Sequence, residues 1–306
     1  MDIIALVVTY NRKELLCECI DAILAQTCLP KKIVILDNAS TDGTADLFKE
    51  NGIYNIPIVE YIISKSNTGG AGGFYQGIKH CMKESDWIWI MDDDTIPDKN
   101  ALKGLCESLN DLSKEKISFL ASKVIGPNGE AMNLPQIDMT PSENGYPDWY
   151  MYLENKLIKI KTATFVSLLI NTKAIKEVGL PLSWYFIWGD DTEYTLRLTT
   201  QFGKAYFSGN STVIHKRFNA RQLSIWEEDN KNRIKMYFYF VRNLLLNISK
   251  YDNKKSVILQ IIKLELKCVK NLFNSKIKFR IKKVLTIQKG IFAYIFHAYS
   301  EKQIDD

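Results

Sequence analysis

Three consecutive carboxylates, Asp92-Asp93-Asp94, directly follow an apolar run at residues 87–91 of this 306-residue sequence. Adjacent like charges repel, and a buried carboxylate is costly unless it is paired or bound to a metal. A strand that enters a core and ends in three carboxylates therefore predicts a cation site. Oxygen ligands favour a hard ion such as Mg²⁺ or Mn²⁺, whose open positions usually hold phosphate oxygens. A lone acidic triplet is more often a solvated turn, but the apolar run before this one argues against that interpretation.

A second acidic group, residues 190–193, follows the aromatic segment 184–188. The alternative interpretation is structural, because Asp190 and Glu193 have the spacing of an N-cap and a capping box. In a partly apolar pocket beside the aromatic rings, however, burial and mutual repulsion would raise the pKa of one carboxyl group. A raised pKa is the property wanted of a general base.

A glycine-rich segment, residues 67–73, precedes a helix predicted near 74–83. Closely spaced glycines allow positive φ and close backbone approach, and a loop before a helix start suits phosphates. The segment is not a dinucleotide fingerprint, because Tyr75 occupies the third glycine position, and no Gly-Lys-Ser/Thr follows to make a P-loop. A flexible turn is the alternative, but the neighbouring aspartates favour a functional role.

The first hundred residues alternate between strand and helix patterns. Buried strands are predicted at residues 3–9, 32–36, 58–63 and 87–91. Helices are predicted at 13–26 and at 42–50, the second capped by Ser40 or Thr41. Apolar strands separated by amphipathic helices form a parallel sheet covered on both faces, and ligands bind beyond its carboxyl ends. Asp37 and the acidic triplet lie at such ends, so we expect one shared site.

The rest of the chain changes in character. Added strands are predicted at residues 117–125, 162–171 and 204–215. A helix is predicted from 190 to about 201, an aromatic loop at 146–152, and three helices after residue 223.

Basic residues are concentrated near the C-terminus. Residues 254–290 hold 11 Lys/Arg and one acid, Glu265, whereas the whole chain has a net charge of +5. Their alternation with apolar residues predicts amphipathic helices that lie on an anionic membrane surface. The alternatives are a helix packed on the catalytic domain with a solvated basic face, or a dimer contact, so the oligomeric state stays open. We expect no nucleic-acid binding, because no recognition motif accompanies the charge.

Six scattered cysteines form no Cys-x-x-Cys pair, which argues against zinc and is typical of reduced thiols in a cytosolic protein. The chain opens without a signal-peptide pattern, and no apolar run reaches the length of a membrane span. We therefore expect a cytoplasmic protein, with peripheral attachment to the inner face of the plasma membrane through residues 254–290.

Five motifs together resemble the family 2 glycosyltransferases of the GT-A fold. They are residues 7–12, 37–44, 67–70, 92–94 and 188–193, in family order and spacing, within a resemblance covering roughly residues 3–217. The glycine segment at residues 67–74, the acidic triplet at 92–94 and the motif at 188–194 most closely resemble the galactofuranosyltransferase and rhamnosyltransferase branch. The resemblance implies an α/β, Rossmann-like, mostly parallel sheet flanked by helices. It divides the chain into a GT-A catalytic domain over 1–222, with a nucleotide-binding half at about 1–98 and an acceptor-binding half at about 99–222. A basic amphipathic helical region follows over 223–306.

The resemblance also implies roles for individual residues. The donor-binding residues would be Thr9, Tyr10, Arg12, Asp37, Asn67, Gly69, Gly70 and Asp93. The ligands of a Mn²⁺ or Mg²⁺ ion would be Asp92, Asp94 and His215. On residue type alone, His215 would be interpreted as a structural histidine at the end of a strand. Asp191 would be the catalytic base, and the acceptor-binding residues would be Asp190, Trp188, Trp184 and Glu193.

The chemistry implied is an inverting, metal-dependent sugar transfer from a nucleotide-diphosphate donor to a glycan or lipid-linked glycan in cell-surface polysaccharide synthesis. A cation stabilises the leaving diphosphate, and one base with a single displacement inverts the anomeric configuration. Galactofuranose or rhamnose is the expected sugar, and galactopyranose stays open. The branch usually carries longer flanking domains, so we expect addition of one or a few sugars rather than polymerisation.

Two other functions are weighed against this one. A catalytically inactive nucleotide-sugar-binding scaffold of the same fold is disfavoured, since nothing would retain Asp92, Asp94, Asp191 and His215 together in it. A sugar-nucleotide transferase acting on a sugar phosphate would need a glycine-rich loop after the first strand. Residues 9–13 contain no glycine, which disfavours that class.

Overall fold

The computed structural model describes residues 1–217 and 222–304. Its first part alternates strands and helices as predicted. The elements are β1 (Ile3–Thr9), α1 (Lys13–Leu24), β2 (Lys32–Asp37), α2 (Thr44–Glu50), β3 (Val59–Ile63), α3 (Gly69–Cys81) and β4 (Trp87–Asp92). Every residue of β1 is buried, because helices cover both faces of the sheet at this strand. Ala5 and Val7 face one apolar layer, while Ile4, Leu6 and Val8 face the other.

The second part adds strands to the same sheet. The elements are β5 (Thr95–Pro97), α4 (Ala101–Asp111), β6 (Ile117–Ile125), β7 (Gln136–Ile137), β8 (Leu157–Thr162), β9 (Leu168–Asn171), α5 (Thr172–Val178), α6 (Asp190–Gln201) and β10 (Lys204–His215). Among the described residues the strand order is β3-β2-β1-β4-β9-β6-β10-β8-β7, with β5 paired to β10. β3, β2, β1 and β4 are parallel, as predicted for the nucleotide-binding half. The whole sheet is mixed, because β9 enters antiparallel between β4 and β6.

Two predicted elements differ from those observed. The strand predicted at 162–171 is interrupted, since β8 ends at Thr162 and lies beside β10, whereas β9 begins at Leu168 on another part of the sheet. Helix α2 begins at Thr44 after Gly43, whose φ is +82°, and no side chain caps it. Ser40 is not the cap because its hydroxyl instead accepts a hydrogen bond from the Asn11 amide.

The glycine-rich segment forms the start of a helix rather than a loop. Helix α3 begins at Gly69 and includes the following glycines. A Cβ at Gly73 would lie 2.6 Å from a Val8 methyl carbon, and one at Gly77 would lie 2.5 Å from a Leu6 methyl carbon. Gly73 and Gly77 therefore let α3 lie directly on β1.

The C-terminal region contains the three predicted helices, α7 (Lys231–Tyr251), α8 (Lys254–Leu272) and α9 (Arg280–Ile295). They enclose a separate small core that includes Val241, Leu245, Ile287 and Ile291. The structure corrects one part of the predicted basic face. Lys283 is fully buried on the face of α9 that carries Ile287, and its ammonium donates to the Trp226 carbonyl at 2.9 Å.

None of the described helices combines the length and apolar content that crossing a bilayer requires. All six cysteines are free thiols, as expected. The domain boundary is predicted between residues 222 and 223. Residues 218–221, just before it, lie outside the described residues, and so do residues 305 and 306. The division into domains therefore stays a prediction.

Candidate active site

The carboxyl ends of three adjacent parallel strands meet at one edge of the sheet. Thr9 at the end of β1 is in register with Asp37 of β2, and Val8 is in register with Asp92 of β4. The last residue of β10, His215, pairs with Thr95 of the short strand β5. This pairing brings His215 beside the acidic triplet, although more than a hundred residues separate them in sequence.

Asp92, Asp94 and His215 form a group suited to a metal ion. One ligand atom from each lies within 4.8 Å of the others, and His215 Nε2 is 3.1 Å from Asp94 Oδ1. The other ring nitrogen, Nδ1, is 2.9 Å from Asn133 Oδ1, an acceptor that would hold a proton on Nδ1 and leave the Nε2 lone pair to a bound cation. Asp94 Oδ1 is buried without a well-formed hydrogen bond. A buried, unpartnered carboxylate oxygen beside an imidazole lone pair fits a divalent cation such as Mn²⁺.

The carboxyl groups of this triplet are in different electrostatic states. Burial and the charge of Asp94 raise the pKa of Asp92. Burial alone would also raise the pKa of Asp94, but His215 and Arg12 outweigh that effect and lower it. Burial raises the pKa of Asp93 to about 6, although Arg12 opposes the rise. A bound dication would favour the ionised form of all three groups.

Three residues predicted to bind the donor form one network with Asp93. Arg12 Nη1 lies 2.5 Å from Asp94 Oδ2 and 3.2 Å from Asp93 Oδ1. The Thr9 hydroxyl donates to Asp93 Oδ2 at 2.8 Å, and the Tyr10 amide reaches the same oxygen at 3.4 Å. The Arg12 side chain is 45% exposed, so part of its guanidinium remains open to a ligand.

Asn38, to which the sequence assigned no role, connects the strand ends to the glycine segment by hydrogen bonds. Its Nδ2 donates to the Gly69 carbonyl at 2.8 Å, and its Oδ1 accepts from the Thr68 amide at 3.0 Å. The predicted donor residue Asn67 closes this turn by accepting from the Gly69 amide at 2.8 Å. The buried Asp37 accepts from Ser40 N at 2.7 Å and from the Tyr61 hydroxyl. Asn38 lies inside a recognised motif, whereas no sequence signal marked Asn133 as the partner of His215.

Gly69 makes the contact between the donor side and the segment that precedes the second acidic group. Its φ is +73°, and a Cβ there would lie 2.1 Å from the Phe186 carbonyl oxygen. The same oxygen accepts a hydrogen bond from the Ala71 amide at 3.1 Å. No atom lies within 4 Å of a Cβ added at Gly70, so this residue faces open space. The glycine segment and residues 184–189 are therefore in direct contact.

Asp190 and Asp191 open helix α6, and the capping box considered from the sequence does not form. The N-cap is Gly189, with no side-chain cap. Burial and the charge of Asp191 raise the pKa of Asp190 to about 7. Burial also raises the pKa of Asp191, against the hydrogen bond that its Oδ1 accepts from the Thr192 amide at 2.6 Å. A carboxyl pair of this kind can take up a proton near neutral pH.

The structure corrects the acceptor-binding expectation for Glu193. This side chain is fully buried and forms ion pairs with Arg197 at 2.9 Å and Lys250 at 2.6 Å. Tyr251 donates to the same carboxylate at 3.0 Å. Burial would raise the pKa of Glu193, but Arg197 and Lys250 outweigh it and lower the value. Glu193 thus joins α6 to α7 and does not face an acceptor.

The two tryptophans expected at the acceptor site pack against the C-terminal region. The Trp184 ring stacks on Tyr299 with centroids 5.6 Å apart, and the Trp188 ring lies 4.8 Å from that of Tyr237. Both side chains are half-buried. Any acceptor contact would involve their remaining exposed surface, so this role stays a prediction.

The comparisons with solved structures show the fold. The chain is similar to Staphylococcus aureus TarS 1-349, with a TM-score of 0.56 and 14% identity over 97% of this chain and 92% of that one. It is also similar to the mannosyltransferase PcManGT from Pyrobaculum calidifontis, solved in complex with GDP-Man and Mn²⁺. That TM-score is 0.56, with 13% identity over 96% and 87% of the two chains. The predicted GT-A fold with a C-terminal helical extension is confirmed.

The sequence comparisons show the family. Galactofuranosyltransferase GlfT1 of Mycobacterium tuberculosis is 28% identical over 206 residues, which cover 64% of this chain and 64% of that relative. A dolichyl N-acetyl-alpha-D-glucosaminyl phosphate 3-beta-D-2,3-diacetamido-2,3-dideoxy-beta-D-glucuronosyltransferase of Methanococcus voltae is 28% identical over 226 residues, 69% of this chain and 65% of that relative. The match thus spans less than two thirds of these relatives' length. Residues 4–179 match the model described as Glycosyl transferase family 2. Because this match covers more than half of the chain, the protein belongs to glycosyl transferase family 2.

Proposed function

We propose that this protein is an inverting, metal-dependent glycosyltransferase that uses a nucleotide-diphosphate sugar. The observation that carries the proposal is the meeting of Asp92, Asp94 and His215 at the carboxyl ends of parallel strands, with one buried Asp94 oxygen that makes no well-formed hydrogen bond. Donor diphosphates need positive charge at that edge of an α/β sheet. The second acidic group, with raised pKa values, supplies a proton acceptor.

The chain's own residues account for the remaining steps. A cation held by Asp92, Asp94 and His215 would supply Lewis-acid stabilisation of the departing diphosphate. Arg12, half-exposed beside Asp93 and Asp94, orients phosphate oxygens with its free N–H groups. Asp191 accepts the proton of the acceptor hydroxyl as that oxygen attacks the anomeric carbon. A single displacement of this kind inverts the configuration at that carbon.

The sugar and the acceptor follow from the relatives. GlfT1 is named a galactofuranosyltransferase, and an abequosyltransferase of Salmonella typhimurium is 37% identical over 99 residues. These names favour galactofuranose or a deoxyhexose such as rhamnose as the transferred sugar. The Methanococcus relative is named for a dolichyl-linked sugar phosphate, which favours a lipid-linked glycan as the acceptor here. We place the reaction in cell-surface polysaccharide synthesis.

A screen of nucleotide sugars for nucleotide release, with Mn²⁺, with Mg²⁺ and with EDTA, tests the proposal. We expect release that depends on the metal and on an acceptor. Asp94→Asn should lower turnover about 100-fold, because it removes a charged ligand, and should weaken Mn²⁺ binding measured by calorimetry. Asp98→Asn is the matched control, since Asp98 lies four residues later and its exposed carboxylate accepts a hydrogen bond from the nearby Asn100 amide.

Three outcomes of that screen would count against the proposal. Full turnover in EDTA would remove the metal from the mechanism. Nucleotide-sugar binding without turnover for any donor would favour the inactive scaffold instead. Equal losses in Asp94→Asn and Asp98→Asn would remove Asp94 from the metal site.

An exposed apolar surface on α8 and α9 supports peripheral membrane attachment. On α8 it consists of Ile258, Leu259, Ile262, Leu266, Val269 and Phe273, and on α9 of Ile281, Leu285, Phe292, Ile295 and Phe296. With 3.6 residues per turn, the α8 members cover a stripe of about 100° around the helix. The opposite side of α8, which carries Val257 and Cys268, faces the small core. Gln288 of α9 donates to Glu265 of α8 at 2.9 Å, so the two helices are in direct contact.

The charge around this surface selects its partner. Lys263, Lys267 and Lys270 are exposed along α8, and Glu265, the one acid in residues 254–290, is bonded to Gln288. Self-association through this surface would bring lysines of two copies together, which is unfavourable. Anionic lipid headgroups complement the lysines while the exposed phenylalanine and leucine side chains enter the acyl boundary. We therefore place the protein on an anionic membrane face.

A further inference from the structure

The segment just before the acidic pair has a strained backbone. Phe186 has φ +68° and ψ −60°, and the Ile187 amide donates to the Tyr185 carbonyl at 2.8 Å. These values define the positive-φ γ-turn, which is rare and strained. Trp188 follows with φ +61° and Gly189 with φ +86°. Non-glycine residues hold such conformations only when their surroundings fix them.

Three polar side chains of α7 surround this turn. Arg242, Asn243 and Asn247 are buried, with exposed fractions of 4%, 0% and 7%. Sequence reasoning missed them, although polar residues on the inner face of a predicted amphipathic helix are a signal. Their donors point at five of the six carbonyl groups of the segment 184–189, so each can act on the turn directly.

The hydrogen bonds cover almost every carbonyl of the segment. Asn243 Nδ2 lies 3.1, 3.1 and 2.7 Å from the carbonyl oxygens of Tyr185, Ile187 and Trp188. Arg242 Nη2 lies 3.1 Å from the carbonyl oxygens of Trp184 and Tyr185. Asn247 Nδ2 donates to the Gly189 carbonyl at 2.8 Å and accepts from the Tyr185 hydroxyl at 2.8 Å.

Arg242 orients the asparagine that makes most of these contacts. Its Nε and Nη2 donate to Asn243 Oδ1 at 2.9 and 2.8 Å, so the Asn243 amide must turn its NH₂ group toward the segment. The guanidinium lies over the rings of Trp184, Tyr239 and Tyr299. Within the described residues no carboxylate pairs with Arg242, so its donors are directed at Asn243 and the turn.

The turn connects both halves of the candidate site. The Phe186 carbonyl accepts from Ala71 at the start of α3, and the Gly189 carbonyl accepts from the Glu193 amide in the first turn of α6. Displacement of the turn would therefore move Asp190 and Asp191 relative to the glycine segment. We propose that Arg242, Asn243 and Asn247 are positioning residues, through which the C-terminal helical region completes the active site. The catalytic part of this inference rests on the proposed role of Asp191 as the base.

Asn243→Asp tests the proposal with a nearly isosteric change. The carboxylate still accepts from Arg242 but has no N–H to donate to the three carbonyl groups. Hydrogen exchange followed by mass spectrometry should show at least about tenfold faster exchange of the amides in residues 185–192. The turnover number of sugar transfer should fall about 100-fold, as expected for a misplaced base, while the dissociation constant for the nucleotide stays unchanged.

Asn230→Asp is the matched control on the same helix. Asn230 caps α7 by accepting from the amides of Asn232 and Arg233, and an aspartate can do the same. Asn247→Asp is a second test, because it removes the single bond to the Gly189 carbonyl and keeps the bond from the Tyr185 hydroxyl. It should show the same changes to a smaller extent.

The exchange measurement needs no turnover, so it separates this proposal from the proposed function. If the wild type transfers no sugar but Asn243→Asp loosens residues 185–192, the proposed function fails and the positioning role stands. Unchanged exchange of these residues in both Asn243→Asp and Asn247→Asp would overturn the positioning role. So would loosening of equal size in Asn230→Asp.

Discussion

Asp94 and Asp190 show how one chain holds carboxyl groups in opposite states. His215 and Arg12 lower the pKa of Asp94 and keep it ionised, which suits a cation ligand. Burial and the neighbouring Asp191 raise the pKa of Asp190, which suits proton uptake. Carboxyl groups whose surroundings push their pKa values apart commonly have different acid–base roles. The predictions for single residues follow from this contrast.

Asp191→Asn should leave nucleotide-sugar binding largely unchanged and lower the turnover number about 1,000-fold, because an amide cannot accept the hydroxyl proton. Steady-state kinetics and calorimetry with the donor measure the two effects. Asp86→Asn is a suitable control, because Asp86 is an exposed carboxylate at the opposite end of β4. Full activity in Asp191→Asn would assign the base to another residue.

The rate should begin to fall at a higher pH than an ordinary aspartate base would give, because the pKa of Asp191 is raised. Burial raises the pKa values of Asp190 and Asp191 above the ordinary aspartate value, and the charge of Asp191 raises that of Asp190 further, so the protonated, inactive form persists to higher pH. Profiles of kcat/KM from pH 5 to 9 at saturating Mn²⁺ measure this acid limb. Asp190→Asn should move the limb to lower pH, since it removes the repelling charge. A rate that stays constant down to pH 5 would contradict the assignment.

Helix α3 and the segment before α6 are in direct contact where Gly69 meets Phe186. The Cβ of an alanine at residue 69 would lie 2.1 Å from the Phe186 carbonyl oxygen. The start of α3 therefore cannot change without moving the strained turn held by α7. This places the donor-side helix, the turn and the C-terminal helical region in one connected unit.

Gly69→Ala should lower the free energy of unfolding by about 2 kcal/mol or more, because it adds a clash to a positive φ. It should also reduce turnover by displacing Phe186. Gly70→Ala is the matched control, since nothing lies within 4 Å of its added carbon, and it should be neutral or slightly stabilising. Urea unfolding of the two variants measures the difference, and equal stability would show that the contact is absent in solution.

Glu193→Gln should lower the free energy of unfolding by about 3 kcal/mol, because it leaves Arg197 without its buried counter-ion. This value would mark Glu193 as a structural link between α6 and α7. The control is Glu177→Gln, whose exposed ion pair with Lys116 should contribute little. Urea unfolding followed by circular dichroism is the measurement. An unchanged midpoint in Glu193→Gln, with lost acceptor affinity, would restore the acceptor-binding role.

The distribution of charge over the molecule separates the candidate active site from the proposed membrane-binding surface. The acidic clusters lie at the strand ends of the sheet, whereas basic residues surround the exposed apolar surface of α8 and α9. Helix α7 lies between them, because it holds the turn before Asp190 and packs on α9. Attachment to a membrane through α8 and α9 would therefore keep the catalytic half beside the bilayer and near a lipid-linked acceptor.

Binding to vesicles of phosphatidylglycerol and phosphatidylcholine should exceed binding to phosphatidylcholine alone and should weaken with added salt. Leu266→Glu should reduce vesicle binding about tenfold, since it removes buried apolar area and adds repulsion from anionic lipid. Leu29→Glu, at an exposed leucine outside the helical region, is the control. Co-sedimentation at low salt is the measurement. Absence of binding would remove the membrane role, and concentration-dependent dimers lost in Leu266→Glu would assign the surface to a second copy.

Local sequence patterns sufficed for the nucleotide-binding half. Apolar runs that end in polar residues predicted β1, β2 and β4, and parallel pairing then required Thr9, Asp37 and Asp92 to meet at one edge. The resemblance added His215, and the structure places it beside Asp94. Such contacts are predictable because a strand's length and direction fix where its last residue lies.

Long-range packing decided the features that the sequence patterns did not predict correctly. Residues 69–73 begin helix α3, and the missing side chain at Gly73 lets that helix rest on β1, a contact that local propensity does not contain. Glu193 is structural because Lys250 and Tyr251 of α7 reach its carboxylate. The roles of Asn133 and Asn243 likewise depend on partners 82 and 55–58 residues away. A residue's type limits what bonds it can make, but the partners that fold against it determine which of those bonds form.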